Sequence, residues 1–483
     1  PSTPLGNWTF WAEFRACDNL QAVYWLYNIT GEAFLLDLGN LLHEQSFNFI
    51  DMFLNRDHLT RFNSIHCVNL AQGLKEPVIY YQQKPEKSYI DAVKKGLADI
   101  RKYNGQPQGM FGGDEGLHGN NPTQGSELCS AVELMYSLEK MMEITGDLTF
   151  TDHLERIAFN ALPTQITDDF MNKQYFQQAN QIMITRHPHN FYEDAHHAAT
   201  DIIYGTRTGY PCCFSNMHQA WPKFTQSLWY ATPDKGIAAL AYSPSEVVAQ
   251  VGDGHEISII EDTYYPMDDK IRFTIRLSNS VKEVTFPFHL RIPEWCKGAA
   301  VTINGITDSI NGGSDMAILH RPWKDGDQVI LSLPMKVESS RWYENSVAIE
   351  RGPLVYALKM EERWMKKEFV GKERNQFGFD YYEVSSPTKW NYGILSATIE
   401  DLEKNSQVTI DPDKQSCDYF WNVRNAPIQI KLKAKEMTSW RIYNEMTGPL
   451  PFSTSKSEQP EEEIVLVPYG CTTLRISEFP VVR

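Results

Sequence analysis

Hydrophobic positions change their spacing about halfway along the chain. In the first half, YIDAVKKGLADIRKY at 89–103 and CSAVELMYSLEKMMEITGD at 129–147 carry apolar residues three and four positions apart, which is typical of amphipathic helices. ITGE at 29–32 and ITGD at 144–147 each end one helical pattern and precede another, as glycine often ends a helix. We therefore predict helical hairpins of the kind that build an α/α toroid, with an irregular helical domain as the alternative.

From about residue 235 the apolar positions alternate instead. In KIRFTIRLS, 270–278, every second residue is apolar, which predicts a strand with one buried face. EVTFPFHLRI, 283–292, repeats the pattern, and Pro287 favours an edge strand because proline donates no ladder hydrogen bond. Asn304 and Gly305 predict a hairpin turn.

Alternating patterns continue in the last third, in IQIKLK and in EEEIVLVPYGCTTLRI. The change of period predicts a multidomain protein with both α and β parts. We expect a helical domain over 1–232, followed by two antiparallel β-sandwich-like domains over 233–337 and 338–483.

The overall charge limits the classes of partner. The 483 residues carry 45 Lys and Arg against 61 Asp and Glu, a formal net charge of −16. A nucleic acid partner is disfavoured because phosphate binding needs a basic surface, and the sequence has no basic stripe. No apolar run approaches the roughly 18 residues of a membrane-spanning helix, so we expect no membrane span.

Two of the eight cysteines, Cys212 and Cys213, are adjacent in GYPCCFSNMH. Three interpretations are open at this point: a strained disulfide between neighbours, two buried thiols, or a metal site. Cysteines so sparse do not form the disulfide framework of a small secreted domain, and we expect most of them to be buried.

The segment GSELC adds Glu127 and Cys129 to the metal interpretation. In mid-helix these two side chains would point about 200° apart, so they share an ion only where a helix starts irregularly. PTQGSE just before them favours such a start. Together with Cys212 and Cys213 they make one carboxylate and three thiolates, a set that suits tetrahedral zinc; unrelated packing of the four residues is the alternative.

Longer motifs carry a resemblance. GSELC, ITGDLTFTDHLERIAFNAL, the CC followed by FSN, LRIPEW, RPWKDGDQVILSLPM and VAIERGPLVYAL resemble glycoside hydrolase family 127, the β-L-arabinofuranosidase group, which is related to family 146. This resemblance covers most of the chain. It implies an (α/α)6 catalytic barrel with β-sandwich domains behind it, and relative to that layout the chain lacks the first barrel helices.

The resemblance also implies the chemistry. In such enzymes the first cysteine of the pair is the zinc-bound nucleophile of a retaining mechanism, here Cys212, with Glu127, Cys129 and Cys213 as the other zinc ligands. The acid/base we expect is Glu115 in the glycine-rich segment GMFGGDEGLHG, with Asp114 as its rival.

Three further residues are candidates for substrate binding. His66 and His118 stand where the family places sugar-contacting residues. Tyr192 lies in HPHNFYEDAHH, 187–197, which we interpret as a loop near the pocket.

The function we expect is an exo-acting retaining glycosidase that releases β-L-arabinofuranose or a related furanose from plant cell-wall glycans. One alternative changes only the sugar, to an acidic branched furanoside of rhamnogalacturonan II. Others are a non-catalytic carbohydrate-binding protein stabilised by zinc and a dithiol redox protein, which the CC spacing disfavours. The chain opens on Pro1 without a leader, so we expect that an export signal preceded it in a bacterial periplasmic or secreted protein.

Overall fold

The computed structural model describes residues 3–7, 9–61, 65–189, 191, 197–278, 281–310, 313 and 315–483. Helices dominate the described chain up to residue 226. In chain order they include α1 (Phe10–Phe14), α2 (Ala16–Thr30), α3 (Phe34–Gln45), α4 (Phe49–Asn55), α5 (Cys67–Gly73), α6 (Glu76–Tyr81), α7 (Lys87–Asn104), α8 (Leu128–Thr145), α9 (Thr149–Arg156) and α10 (Cys212–Gln226). The two amphipathic patterns of the sequence correspond to α7 and α8.

Two glycines end helices as the sequence indicates. Gly31 follows α2 and Gly146 follows α8, with φ values of 70° and 69°. The backbone N–H of each glycine donates to a carbonyl in the last turn of its helix, over 2.8 and 2.7 Å. Because other residues are strained in this left-handed region, glycine sets where each helical hairpin turns.

Short strands replace helix between α7 and α8. The strands β1 (Gly113–Asp114), β2 (Gly116–Leu117), β3 (Ser126–Glu127) and β4 (Phe176–Gln177) form one sheet in the order β2-β1-β3-β4. A side chain at Gly113 would lie only 2.7 Å from the Cβ atom of Cys67. Glycine therefore lets the strands pack closely against α5, which fixes the backbone beside Glu115 and Glu127.

Two short strands, β5 (Asn180–Gln181) and β6 (Tyr204–Gly205), lie between α9 and α10. Two sheets follow α10, built from the strands β7 (Trp229–Ala231), β8 (Ile237–Ala239), β9 (Ser245–Val251), β10 (His255–Thr263), β11 (Lys270–Leu277), β12 (Val284–Ile292), β13 (Ala300–Ile303), β14 (Ile306–Ser309), β15 (Asp315–Trp323) and β16 (Gln328–Ser332). A six-stranded sheet has the order β14-β13-β16-β11-β10-β9, and a four-stranded sheet has the order β15-β12-β8-β7. In β11 buried and outward positions alternate as predicted.

The predicted hairpin turn is present, whereas the predicted edge strand is not. Asn304 and Gly305 have φ values of 48° and 87° between β13 and β14. Pro287 lies in β12, which pairs with β15 on one side and β8 on the other. The ladder with β8 begins only at Phe288, so the missing N–H of Pro287 does not interrupt it.

The C-terminal part is again built mainly of strands. They are β17 (Val337–Arg341), β18 (Val347–Arg351), β19 (Leu354–Leu358), β20 (Arg363–Glu368), β21 (Asp380–Ser385), β22 (Tyr392–Leu395), β23 (Ser406–Ile410), β24 (Ile428–Glu436), β25 (Ile442–Tyr443), β26 (Met446–Thr447), β27 (Glu461–Pro468), β28 (Arg475–Ile476) and β29 (Val481–Val482). Short helices α11 (Gly371–Phe377), α12 (Ser396–Glu400), α13 (Leu402–Asn405) and α14 (Pro412–Gln415) lie between them. The main sheet has the order β17-β18-β19-β27-β24-β22-β29, with β23 beside β24.

Strand pairing also joins the C-terminal part to the helical part. Strand β21 pairs with β6, and β28 pairs with β5. The predicted succession of a helical region and β-rich regions is confirmed, while the domain boundaries at 232/233 and 337/338 stay predictions. Among the described residues, helices long and apolar enough to cross a bilayer are absent.

Candidate active site

A cleft of about 1030 Å³ opens on the helical side of the molecule. The described residues that line it all lie between Trp11 and Asn216, and they include Glu115, Glu127, Cys129 and Cys212. The β-rich regions contribute none of the described residues that line the cleft.

Four side chains that the sequence suggested as ligands meet at the floor of this cleft. One ligand atom each from Glu127, Cys129, Cys212 and Cys213 lies within 4.8 Å of the others. The Sγ atom of Cys129 is 3.4 Å from that of Cys212 and 3.1 Å from that of Cys213. Glu127 Oε1 is 3.5 Å from Cys213 Sγ and 4.0 Å from Cys212 Sγ.

Local backbone structure explains how Glu127 and Cys129 reach the same point. Glu127 ends β3 and precedes α8 with φ −71° and ψ 138°, so it is extended, and Cys129 lies in the first helical turn. Strand pairing of Glu127 with Phe176 fixes this extended conformation. The irregular helix start that the sequence indicates therefore brings the two side chains together.

The donor set fits a zinc ion. Tetrahedral zinc with sulfur at about 2.3 Å places its ligand atoms about 3.8 Å from one another. The separations in the cluster, 3.1 to 4.0 Å, are close to that spacing. All eight cysteines are free thiols, so the adjacent pair is not a disulfide. Soft sulfur donors disfavour magnesium and calcium.

Burial separates Cys212 from its neighbours. Burial raises the pKa of Glu127, Cys129 and Cys213 well above their ordinary values. Cys212, at the first position of α10, is the least buried of the four side chains. Sulfur hydrogen bonds from Cys129 and Cys213 lower its pKa to about 3. Among the four side chains, Cys212 is thus the one whose ionised form the surroundings favour.

Glu115 points into the same cleft and is held on both oxygens. The hydroxyl of Tyr175 donates to Oε1 at 2.5 Å, and His66 Nε2 lies 3.1 Å from Oε2. The backbone N–H of Asn69 donates to His66 Nδ1, which leaves the hydrogen on Nε2 for Glu115. Burial opposes ionisation of Glu115, but the bonds from His66 and Tyr175 outweigh it and hold its pKa below the ordinary value.

The other acid and the second histidine of the glycine-rich segment lie elsewhere. Asp114 is fully buried, and its carboxylate contacts His118 Nδ1. Neither residue is among those that line the cleft. His118 directly follows β2 and pairs with Asp114 of β1, while the sugar contact expected of His118 stays a prediction. Tyr192 lies outside the described residues.

Several cleft residues were missed at the level of sequence. Tyr175 and Arg15 carried no motif, and His197 ends the segment that we interpreted as a loop near the pocket. His197 Nδ1 contacts Asp201 at 2.5 Å, and its Nε2 faces Glu115 at 3.9 Å. Cys67 was expected only as a buried thiol, yet its sulfur lies 3.4 Å from Glu127 Oε2.

Comparisons with known families agree with this geometry. The catalytic domain of GH127 β-L-arabinofuranosidases matches residues 11–226, and the middle domain of the same family matches residues 236–335. The chain therefore belongs to glycoside hydrolase family 127.

Individual relatives are more distant. The chain is 26% identical over 249 residues to a non-reducing end β-L-arabinofuranosidase of Bifidobacterium longum. The matched stretch covers 50% of this chain and 36% of the relative. The match thus spans about a third of that relative's length. A GH127 β-L-arabinofuranosidase from Geobacillus stearothermophilus has a similar fold, with a TM-score of 0.66, 18% identity, and 96% of this chain and 72% of the other covered. A second GH127 β-arabinofuranosidase is similar with a TM-score of 0.65 and 17% identity, and the comparison covers 96% of this chain and 68% of the other.

Proposed function

We propose that the protein is a retaining glycoside hydrolase that releases β-L-arabinofuranose or a related furanose from plant cell-wall glycans. The observation that carries this proposal is the exposed Cys212 thiol, with its lowered pKa, in the same cleft as the carboxyl of Glu115. Membership of family 127 and the named relatives support the choice of sugar.

The two groups divide the work of a double displacement. Cys212 Sγ attacks the anomeric carbon, the bond to the leaving oxygen breaks, and Glu115 donates a proton to that oxygen. Water then attacks the anomeric carbon of the resulting thioether while Glu115 accepts a proton from the water, and the Cys212 thiolate departs.

The contacts of Glu115 fit both of its roles. Hydrogen bonds from His66 and Tyr175 favour its ionised form, which the second step needs. In the first step the carboxyl has to carry a proton. A bound sugar that excludes water from the cleft raises the pKa of a buried carboxyl and so favours that form.

A zinc ion would be held by Glu127, Cys129, Cys212 and Cys213. When bound, such an ion keeps thiolate ligands deprotonated at neutral pH. The three buried ligands also hold the sulfur of Cys212 in place at the start of α10, so that the attacking atom is positioned before the sugar arrives.

One contact favours an acidic furanoside as a second candidate substrate. Arg15 lines the cleft, its Nε–H donates to Asn69 Oδ1 at 2.8 Å, and its guanidinium group lies 4.4 Å from the centre of the Trp11 ring. Its terminal nitrogens are hydrogen-bonded to no acidic side chain among the described residues, so they are available for a carboxylate of the substrate. Arg15→Gln would then reduce the rate of hydrolysis of a carboxylated furanoside far more than that of a neutral one.

The test combines turnover with metal content. Purified protein should contain one zinc per chain and hydrolyse 4-nitrophenyl β-L-arabinofuranoside with retention at the anomeric carbon, as followed by proton NMR. A carboxylated furanoside is assayed alongside it, and turnover of that substrate alone would favour the acidic furanoside as the natural substrate. A zinc-loaded protein that binds furanosides without cleaving them would instead indicate a carbohydrate-binding protein and overturn the hydrolase.

A further inference from the structure

Lys173 is a buried cation that binds the backbone just before the adjacent cysteines. It is 0% exposed, and its ammonium group donates to two backbone carbonyls, those of Thr208 and of Tyr210, the latter over 2.9 Å. Both carbonyls belong to the segment that leads directly into Cys212. The ammonium group also lies 4.8 Å from the centre of the Tyr175 ring.

The other fully buried lysine shows what is unusual about this one. Lys75, also 0% exposed, lies 2.9 Å from a carboxylate oxygen of Asp18. Lys173 forms no ion pair with a carboxylate within the part of the chain that the structure describes. A buried ammonium ion without a counter-charge is costly, so its negative partner has to be sought in the thiols and Glu127 nearby.

The cluster has the opposite imbalance. Three thiolates and one carboxylate carry four negative charges, and a divalent zinc ion would compensate only two of them. The ammonium group binds the carbonyl of Tyr210, two residues before Cys212, so a positive charge is held next to the segment that supplies two of the four ligands.

We propose that Lys173 is the counter-charge of the zinc site: its ammonium group offsets the excess negative charge of the three cysteines and Glu127 and thereby strengthens metal binding. It is a positioning residue, since nothing places it in the cleft against the substrate. The inference rests on the zinc ion of the proposed function.

Two substitutions separate charge from hydrogen bonding. Lys173→Met removes both, whereas Lys173→Gln keeps an N–H donor for the Thr208 or Tyr210 carbonyl. Lys75→Met is the matched control, because it removes a buried lysine that has its own carboxylate. Zinc affinity is measured by competition with a chromophoric chelator, and circular dichroism verifies that each variant is folded.

Both Lys173 variants should bind zinc about 10- to 100-fold more weakly than the wild type. Lys75→Met should keep wild-type zinc affinity even if its unfolding temperature falls. Wild-type affinity in folded Lys173→Gln would overturn the inference, since hydrogen bonds to the segment would then suffice; this variant decides the question if Lys173→Met does not fold. Equal losses in Lys75→Met would overturn it as well.

The zinc content of the wild type distinguishes this failure from that of the proposed function. A wild-type protein without zinc overturns the metal site itself. One zinc in the wild type, together with unchanged affinity in both Lys173 variants, overturns the role of Lys173 alone.

Discussion

The cleft and the junction between the helical and β-rich regions both bury several charged side chains, but they partner them differently. At the junction, Arg291 of β12 is fully buried and lies 2.5 Å from Asp152 and 2.5 Å from Glu155, both on α9. The hydroxyl of Tyr265 donates to Glu155 at 2.8 Å. Each charged side chain of this group contacts an oppositely charged side chain of the protein, one arginine serving two carboxylates.

In the cleft the charges are left over. Glu127 lies against three sulfurs, and among the described residues the terminal nitrogens of Arg15 are hydrogen-bonded to no acidic side chain. Such an imbalance is costly in a protein interior, and the metal ion and the substrate that we propose would both reduce it. The comparison teaches that direct ion pairing within the protein, more than burial, distinguishes a structural charge cluster from a candidate reactive one.

The largest effect should follow from changing the reactive thiol. Cys212→Ser should reduce turnover by roughly 10⁴-fold or more, because a serine hydroxyl is a far weaker nucleophile than a thiolate at neutral pH. Rates on 4-nitrophenyl β-L-arabinofuranoside are measured together with zinc content. Cys213→Ser, its neighbour, should lose activity in proportion to lost zinc. Near-normal turnover by Cys212→Ser would place the nucleophile elsewhere.

The next effect distinguishes the two adjacent acids. Glu115→Gln should reduce the rate of hydrolysis of substrates with a poor leaving group by about 10²- to 10⁴-fold, because proton donation matters most for a basic leaving oxygen. Hydrolysis of nitrophenyl glycosides should be slowed much less. Asp114→Asn is the matched control: its side chain is buried against His118, so it should show no such selectivity. The reverse pattern would exchange the two roles.

Some features of the fold and of the candidate site could be predicted from the sequence alone. The helix ends at Gly31 and Gly146 and the hairpin at Asn304 follow from local backbone preferences, which a few neighbouring residues determine. The four possible ligands could be named because thiols and carboxylates are rare in such combinations and because the motifs resemble a known family. Local chemistry and resemblance therefore predicted the floor of the cleft.

The walls of the cleft could not be predicted in the same way. Tyr175 reaches Glu115 across 60 positions, and Arg15 reaches Asn69 across 54, through packing that no spacing rule encodes. Pro287 misled the strand assignment because its tolerance depends on where the neighbouring ladder begins. The pairing of His118 with Asp114 could not be predicted because it depends on how β1 and β2 fold back on each other. Each miss concerns a contact that exists only after tertiary packing.

A substitution at the junction should affect stability without affecting chemistry. Arg291→Met leaves Asp152 and Glu155 buried without their cation, which should lower the free energy of unfolding by about 3–5 kcal/mol. Lys297→Met is the control, since this exposed lysine lies 3.8 Å from Glu338 and should contribute at most about 1 kcal/mol. Urea unfolding gives both values. If the folded fraction of Arg291→Met lost its turnover per zinc, the junction would belong to the site.

The smallest effect concerns Cys67, which lies between the two kinds of cluster because it is buried and yet contacts a ligand. Its sulfur is 3.4 Å from Glu127 Oε2, whereas Oε1 of the same carboxylate faces the cysteines. A donor on Oε2 leaves Oε1 for the metal, so Cys67→Ala should weaken zinc binding by about tenfold, the lower end of the range for groups that orient a ligand. Cys67→Ser, which keeps a hydroxyl donor, should lose less. Cys471→Ala is the control, because that buried thiol donates to the Phe420 carbonyl at 3.1 Å, far along the chain from the ligands. Chelator competition measures all three variants, and equal zinc affinity in Cys67→Ala and Cys471→Ala would assign Cys67 to packing alone.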